Sequence, residues 1–158
     1  MKRPDMGLTV ERTESREGTR IILEGVVDEF ADLQFFAHLS GRVDVDLRGV
    51  RRINSFGVRT WVDAVRTIPD AADVRFVALS PALVEQTNMV RGFLGRGTIV
   101  SVMVPMICET CDAQALFEAQ VADLHEHSGA PGAQPCPECG SAMVLDDLPD
   151  QYFAFLDE

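Results

Sequence analysis

The chain reads as an α/β protein, a sheet with helices packed on it, followed by a small C-terminal module built on four cysteines. Three observations predict this. Over residues 43–47 apolar and acidic side chains alternate as in a strand: Val43, Asp44, Val45, Asp46, Leu47. From Val58 the apolar spacing changes to i, i+3, i+4, i+7 and i+10, through Trp61, Val62, Val65 and Ile68. That is one face of a helix, with Arg59, Asp63, Arg66 and Thr67 left for solvent. Further on, Cys108 and Cys111, then Cys136 and Cys139, make two C-x-x-C pairs.

Taken in order, residues 7–13 and 20–27 read as two strands joined by a polar turn over 14–19. Residues 28–39 read as a helix with Phe30, Leu33, Phe36 and Ala37 inward and Gly41 as its stop. The strand at 43–47 and the helix after Ser55 follow, and Pro69 with Asp70 ends that helix. Residues 74–79 form an apolar strand. Ser80 and Pro81 are a helix-start pair for a helix to about Val90. A Gly-rich connection over 91–97 leads to a last strand at 98–104. The predicted order is β-β-α-β-α-β-α-β.

Composition narrows the class. A chain of 158 residues, 46% of them hydrophobic, can fold as one ordinary domain plus a small one. The first residues carry Lys2, Arg3, Pro4 and Asp5 with no apolar run, unlike a signal peptide, and the apolar stretch 98–108 is too short to cross a bilayer. The expectation is a cytoplasmic protein without membrane insertion, whose cysteines are reduced thiols or metal ligands. Net charge is divided sharply. Residues 1–105 hold all 14 Lys and Arg and 14 of the 25 Asp and Glu, whereas residues 106–158 hold 11 acids and no Lys or Arg. Such a break suggests two modules, and a cysteine module without Lys or Arg is not expected to bind nucleic acid.

Asn54 and Ser55 stand where strand gives way to helix, and both are good N-cap residues. At the positive end of the helix dipole a phosphate on Ser55 would be tolerated. Capping alone and phosphate acceptance are both open on this chemistry. Residues 48–66 carry Arg48, Arg51, Arg52, Arg59 and Arg66 against Asp63, a local charge of +4. That charge suits an acidic partner or a phosphate, although Arg is spread throughout the first 96 residues. The Gly-rich segment 91–97 lacks the Gly-Lys-Ser/Thr ending of a phosphate loop and precedes a strand, so it reads as a helix stop. No catalytic set is visible: His38 is isolated, and no serine or cysteine has an identifiable base. The chain is expected not to be an enzyme.

The order of elements, the turn at Glu24-Gly25-Val26-Val27-Asp28, the helix start Asn54-Ser55-Phe56-Gly57-Val58 and the Leu79-Ser80-Pro81 junction together resemble a STAS domain, the sulphate transporter and anti-sigma factor antagonist family. The resemblance covers about residues 7–105, giving a first module at 1–105. It implies that Ser55 matches the phosphoacceptor, Gly57 the conformationally free residue after it and Val58 the first buried helix residue. Asp28 matches an acidic residue of the partner-facing surface. The partner surface so implied comprises Asp28, Asn54, Ser55, Phe56, Gly57 and Arg59. Two departures from the family's Asp-Ser-Ser-Gly-Leu pattern matter: Asn54 stands for the aspartate and Phe56 for the second serine. Phe56 is expected inward as core, with an outward anchor as the alternative.

Two residues between cysteines let both thiolates reach one ion, and two such pairs complete a four-cysteine site. Cys108, Cys111, Cys136 and Cys139 are thus the candidate ligands of a structural Zn2+. The module at 106–148 resembles a zinc ribbon, with 149–158 as a tail that is apolar enough to fold back on it or, alternatively, to dock elsewhere. The 24-residue spacer is long for this class. Leu116, Phe117, Val121 and Leu124 place a helix in it at 113–127. His125 and His127 are spare ligands that a filled four-cysteine shell does not need. Iron in a rubredoxin-like site and a redox disulfide are the rivals for the cysteines.

The leading function is a regulatory adaptor, anti-sigma factor antagonist-like, that recognises another protein through the Ser55 surface. Its partner would be an anti-sigma factor or serine kinase-like ATPase. The alternatives are an unphosphorylated STAS subunit docking on a transporter ATPase, and a rubredoxin-like electron carrier.

Overall fold

A computed structural model describes residues 7–126 and 134–157. Among these residues nine strands form two sheets, accompanied by four helices. The first sheet has the spatial order β1-β2-β3-β4-β5, from β1 (Leu8–Ser15), β2 (Gly18–Val27), β3 (Gly41–Ile53), β4 (Ala72–Val77) and β5 (Thr98–Ile99). β1 and β2 form an antiparallel hairpin, and all later pairings in this sheet are parallel. The parallel pairings need crossovers. These are the segment 28–40, helix α1 (Ser55–Val65) and helix α2 (Pro81–Met89).

The core lies on one face of this sheet. Ile21 and Leu23 of β2, Val43, Val45 and Leu47 of β3 and Val74 and Phe76 of β4 are all buried there. Most of their alternate residues, among them Asp44 and Arg75, carry charge on the other face, where Arg20 pairs with Asp46 at 2.7 Å. Trp61 of α1 fills the middle of the core, stacked on Phe93 at 5.7 Å and edge-on to Phe36 at 5.5 Å. Its indole N–H donates to the Phe93 carbonyl at 2.9 Å, so a large apolar body is buried without leaving its one donor unpaired.

The segment 28–39 is not the expected helix. Asp28 accepts from the Phe30 N–H at 2.9 Å and Asp32 from the Gln34 N–H at 3.2 Å. Both are local side-chain bonds that compete with helical pairing, and only a 3-10 turn over Gln34–His38 remains. Leu33 and Phe36 point inward as expected, but Ala37 is exposed and Phe30 stands 77% exposed. Gly41, expected to stop that helix, opens β3 at φ +66.

β3 is longer than the five alternating residues suggested. Its pairing with β2 shifts register twice, between Ile22 and Glu24 and between Gly25 and Val26. These bulges carry the strand through Arg51 and Arg52, which face solvent, to Asn54.

The second sheet is antiparallel, of order β7-β6-β9-β8, from β6 (Ser101–Cys108), β7 (Gln114–Gln120), β8 (Gln134–Pro135) and β9 (Ala142–Leu145). The chain passes into it almost without a break. Thr98 and Ile99 pair with β4, Val100 donates to the Phe76 carbonyl at 2.8 Å, and Ser101 begins β6. Leu79 forms a parallel bridge with Val102 beside this junction. The boundary expected after residue 105 therefore falls within β6.

The helix expected at 113–127 is replaced by β7 and a shorter helix, α3 (Val121–Glu126). β7 pairs with β6 over seven positions, from Ser101 opposite Gln120 to Ile107 opposite Gln114. Ala115, Phe117 and Ala119 take the inner face and Leu116 stands 50% exposed. Only Val121 and Leu124 of the apolar set belong to the helix. His127, the expected helix end and a spare ligand candidate, lies outside the described residues.

The C-terminal segment, α4 (Pro149–Tyr152) and a 3-10 turn over Ala154–Asp157, packs against α2 and β6. Asn88 of α2 donates to the carbonyls of Gln151 and Tyr152 at 3.0 and 2.9 Å and accepts from the Phe155 N–H at 2.9 Å. Among the described residues no helix is long and apolar enough to cross a membrane.

Candidate functional site

Each cysteine pair sits on the tight turn at a strand end, and the two turns have the same hydrogen bonds. Asp112 donates to the Cys108 carbonyl at 2.8 Å, and Cys108 to that of Ala113 at 2.9 Å. In the second turn Gly140 donates to the Cys136 carbonyl at 2.9 Å, and Cys136 to that of Ser141 at 2.7 Å. The residue after each pair is left-handed, Asp112 at φ 62 and Gly140 at φ 79. Asp is among the few non-glycine residues that accept this conformation at modest cost.

β6 and β9 are neighbours, and Cys108 lies opposite Met143. The pairing brings the two turns face to face. Cys108 Sγ is 3.5 Å from Cys139 Sγ, Cys111 Sγ is 3.6 Å from Cys136 Sγ, and all four sulfurs lie within 4.8 Å of one another. A tetrahedral ion with metal–sulfur bonds of about 2.3 Å would hold its sulfurs about 3.8 Å apart, so the four residues fit a metal ion. Cys108 and Cys136 are buried, Cys111 and Cys139 exposed. His125, on α3, stands outside this cluster.

Thiols so close cannot all ionise without a cation. Cys139 is drawn down to about 6, first by the Ser141 side chain and then by its backbone. Cys136 is also lowered: burial opposes ionisation, but the backbone N–H groups of Cys139 and Glu138 outweigh it. Cys111 is pushed up to about 12, because its bond from Ala113 is outweighed by the neighbouring thiols and burial. A divalent ion among the sulfurs would reverse that last effect.

The second constellation is the start of α1. Asn54 is extended, at φ −94 and ψ 176, and its Oδ1 accepts from the Gly57 N–H at 2.7 Å. Its Nδ2 donates to Glu29 at 3.5 Å. Asn54 is thus the cap, and Ser55 is the exposed first helical residue; the expectation that both serve as caps is corrected to this extent. Gly57 is buried for a reason other than conformational freedom. A Cβ there would lie 2.0 Å from the Val27 carbonyl oxygen, so the glycine lets the helix start rest on the end of β2. Val58 is half-buried.

Phe56 is 66% exposed, which corrects the expectation that it packs inward. At a helix start seated this closely on the strand end, the inward position belongs to Gly57. Arg59 is exposed, and Asp28, half-buried, is occupied by its turn with Phe30. The structure therefore brings Asn54, Ser55, Phe56 and Arg59 to one exposed helix start, with Glu29 bonded to Asn54. The periodicity of 28–39 concealed exposed Phe30, and nothing local in the sequence marked it. Arg48 does not join this surface: it pairs with Glu118 of β7, which also accepts from Ser101 at 2.8 Å. Comparison with protein-family models, with curated proteins and with solved structures gives no match.

Proposed function

We propose that this protein is a non-catalytic, STAS-like adaptor that recognises another protein through the start of α1, with a zinc-ribbon-like unit as structural support. The observation that carries the reading is the exposure of Phe56, 66%, beside exposed Ser55. A monomer gains nothing from an aromatic ring in water, whereas aromatic residues and Arg are common energetic anchors of protein interfaces. Phe30, 77% exposed, adds a second ring on the loop that follows β2.

In this reading unmodified Ser55 lies inside the contact, and phosphate on it ejects the partner. The added charge of about −1.5 to −2 suits a helix N-terminus and does not suit a partner surface without a matching cation. A kinase-like anti-sigma factor is the partner class the STAS likeness implies, with a transporter ATPase as the alternative. Zn2+ held by Cys108, Cys111, Cys136 and Cys139 would fix the two turns to each other and carry no chemistry of its own.

The test is affinity capture from the native host with wild-type protein and with Phe56→Arg, read by quantitative mass spectrometry, together with the intact mass of the native protein. A partner lost with Phe56→Arg, and a phosphate found on Ser55, support the reading. A partner set unchanged by the substitution overturns it, and iron in place of zinc would favour the electron carrier.

A further inference from the structure

We propose a second binding site: the groove between α2 and the C-terminal segment takes a basic peptide segment of a partner protein, apolar side chains on its floor and Lys or Arg on its walls. This site shares no residue with the start of α1 and does not rest on the adaptor reading. The cavity measures about 660 Å3. Its apolar surface comes from Pro81, Ala82 and Met89 of α2 and from Pro105 of β6. Met89, 69% exposed, is an unbranched and adaptable side chain with most of its surface in water.

Every ionisable side chain on the wall that is charged at neutral pH is acidic: Glu85, Asp147 and Asp150. The chain has 14 Lys and Arg, and none of those among the described residues lines this groove. Its C-terminal wall belongs to the region that has 11 acids and no basic Lys or Arg at all. That one-sided charge selects the occupant. Nucleic acid and anionic membrane surfaces are repelled. A bare cation makes no use of the apolar floor. Arg or Lys in a peptide uses both features, its methylene stem lying on apolar surface while the charged head reaches a carboxylate.

The walls are already fixed. Asn88 bonds the C-terminal segment at three points, and the Tyr152 hydroxyl donates to the Met103 carbonyl at 2.5 Å. A groove held open in this way costs little ordering when it is filled.

The test uses two synthetic twelve-residue peptides, one of alternating Arg and Leu and one of alternating Glu and Leu, followed by fluorescence anisotropy with the full chain in about 0.15 M salt. The expected result is binding of the Arg peptide alone. Glu85→Lys with Asp150→Lys should weaken it at least about tenfold. Glu14→Lys with Glu17→Lys, an equal change of charge at the tip of the β1–β2 hairpin, should change it by less than about threefold, the part that long-range attraction supplies. Backbone amide shifts of the wild-type protein give an independent reading, expected to concentrate at residues 81–89 and 146–154. No binding, equal binding of the Glu peptide, equal loss in both double variants, or shifts centred elsewhere each overturn the proposal.

Discussion

The Asn54 side chain accepts from the Gly57 backbone N–H at 2.7 Å, and this bond gives the cap of α1 to Asn54 while Ser55 stands in solvent beside it. Stability and recognition are therefore divided between adjacent residues. Asn54→Ala should cost about 1 kcal/mol, the usual worth of an N-cap. Ser55→Ala should stay within about 0.5 kcal/mol of wild type, as exposed substitutions do. Denaturant melts of the two variants check the assignment, and a larger loss from Ser55→Ala would refute it.

Ser55→Asp should melt close to wild type, since a negative charge at a helix start is favourable by a few tenths of a kcal/mol. On the adaptor reading it should bind the captured partner at least about tenfold more weakly, which corresponds to about 1.4 kcal/mol. Binding equal to wild type would mean that Ser55 is no switch.

Gly57→Ala tests how α1 is seated. The new methyl would overlap the Val27 carbonyl, which is backbone and cannot swing aside. Overpacking of this kind costs about 1–3 kcal/mol, and the rings set by α1 should shift with it. Gly92→Ala, with open space around its Cβ but at φ +74, separates backbone strain from collision. A Gly57→Ala protein that melts like wild type would show that the helix start can lift away from the strand.

The cysteine cluster should hold one divalent metal per chain, measured by elemental analysis. Structural zinc in small peptides binds with about 10–16 kcal/mol, so Cys136→Ser or strong chelation should expose the amides of β6, β8 and β9 to hydrogen exchange. Less than half an equivalent of zinc, with no iron, would sink the metal assignment.

Burial, and then the charge of Asp147, push the Tyr152 phenol above its ordinary value. The fold thus favours the neutral phenol. Its contribution is complete below about pH 10, the ordinary phenol value, and is lost as pH rises beyond it. Tyr152→Phe should cost about 1 kcal/mol at neutral pH, through loss of the bond to Met103, and should remove this alkaline sensitivity. Melting curves at pH 8 and above pH 10 provide the check.

How far these features could be read in the sequence depended on how many residues carried each signal. The α1 stripe through Trp61, Val65 and Ile68 has five members at helical spacing, and Val43 to Leu47 alternates cleanly, so both elements were legible. The two cysteine pairs needed only their spacing, and β6–β9 pairing did the rest. Residues 114–120 were not legible. Their inner face is Ala115, Phe117 and Ala119, where two small side chains give almost no alternation, while exposed Leu116 mimics a helix face. Residues 28–39 misled for a different reason. The apolar spacing was helical, but Asp28 and Asp32 bonded to the backbone two residues on. Exposure of Phe56 followed from Gly57 and Val27, two residues 30 positions apart in the chain.

The run from Thr98 to Cys108, which closes one sheet and then becomes an inner strand of the next, has a consequence for synthesis on the ribosome. β6 leaves the tunnel well before β9, its neighbour at Cys108, and before Cys136 and Cys139. In that interval β6 has β7 on one side, while on the other Leu79 bonds Ser101 and Met103 and the edge from Met106 to Cys108 stands open. Open strand edges pair with whatever chain is near. That stretch of edge invites misassembly once the first sheet has formed, and the arrival of β9, just after Cys139, covers it.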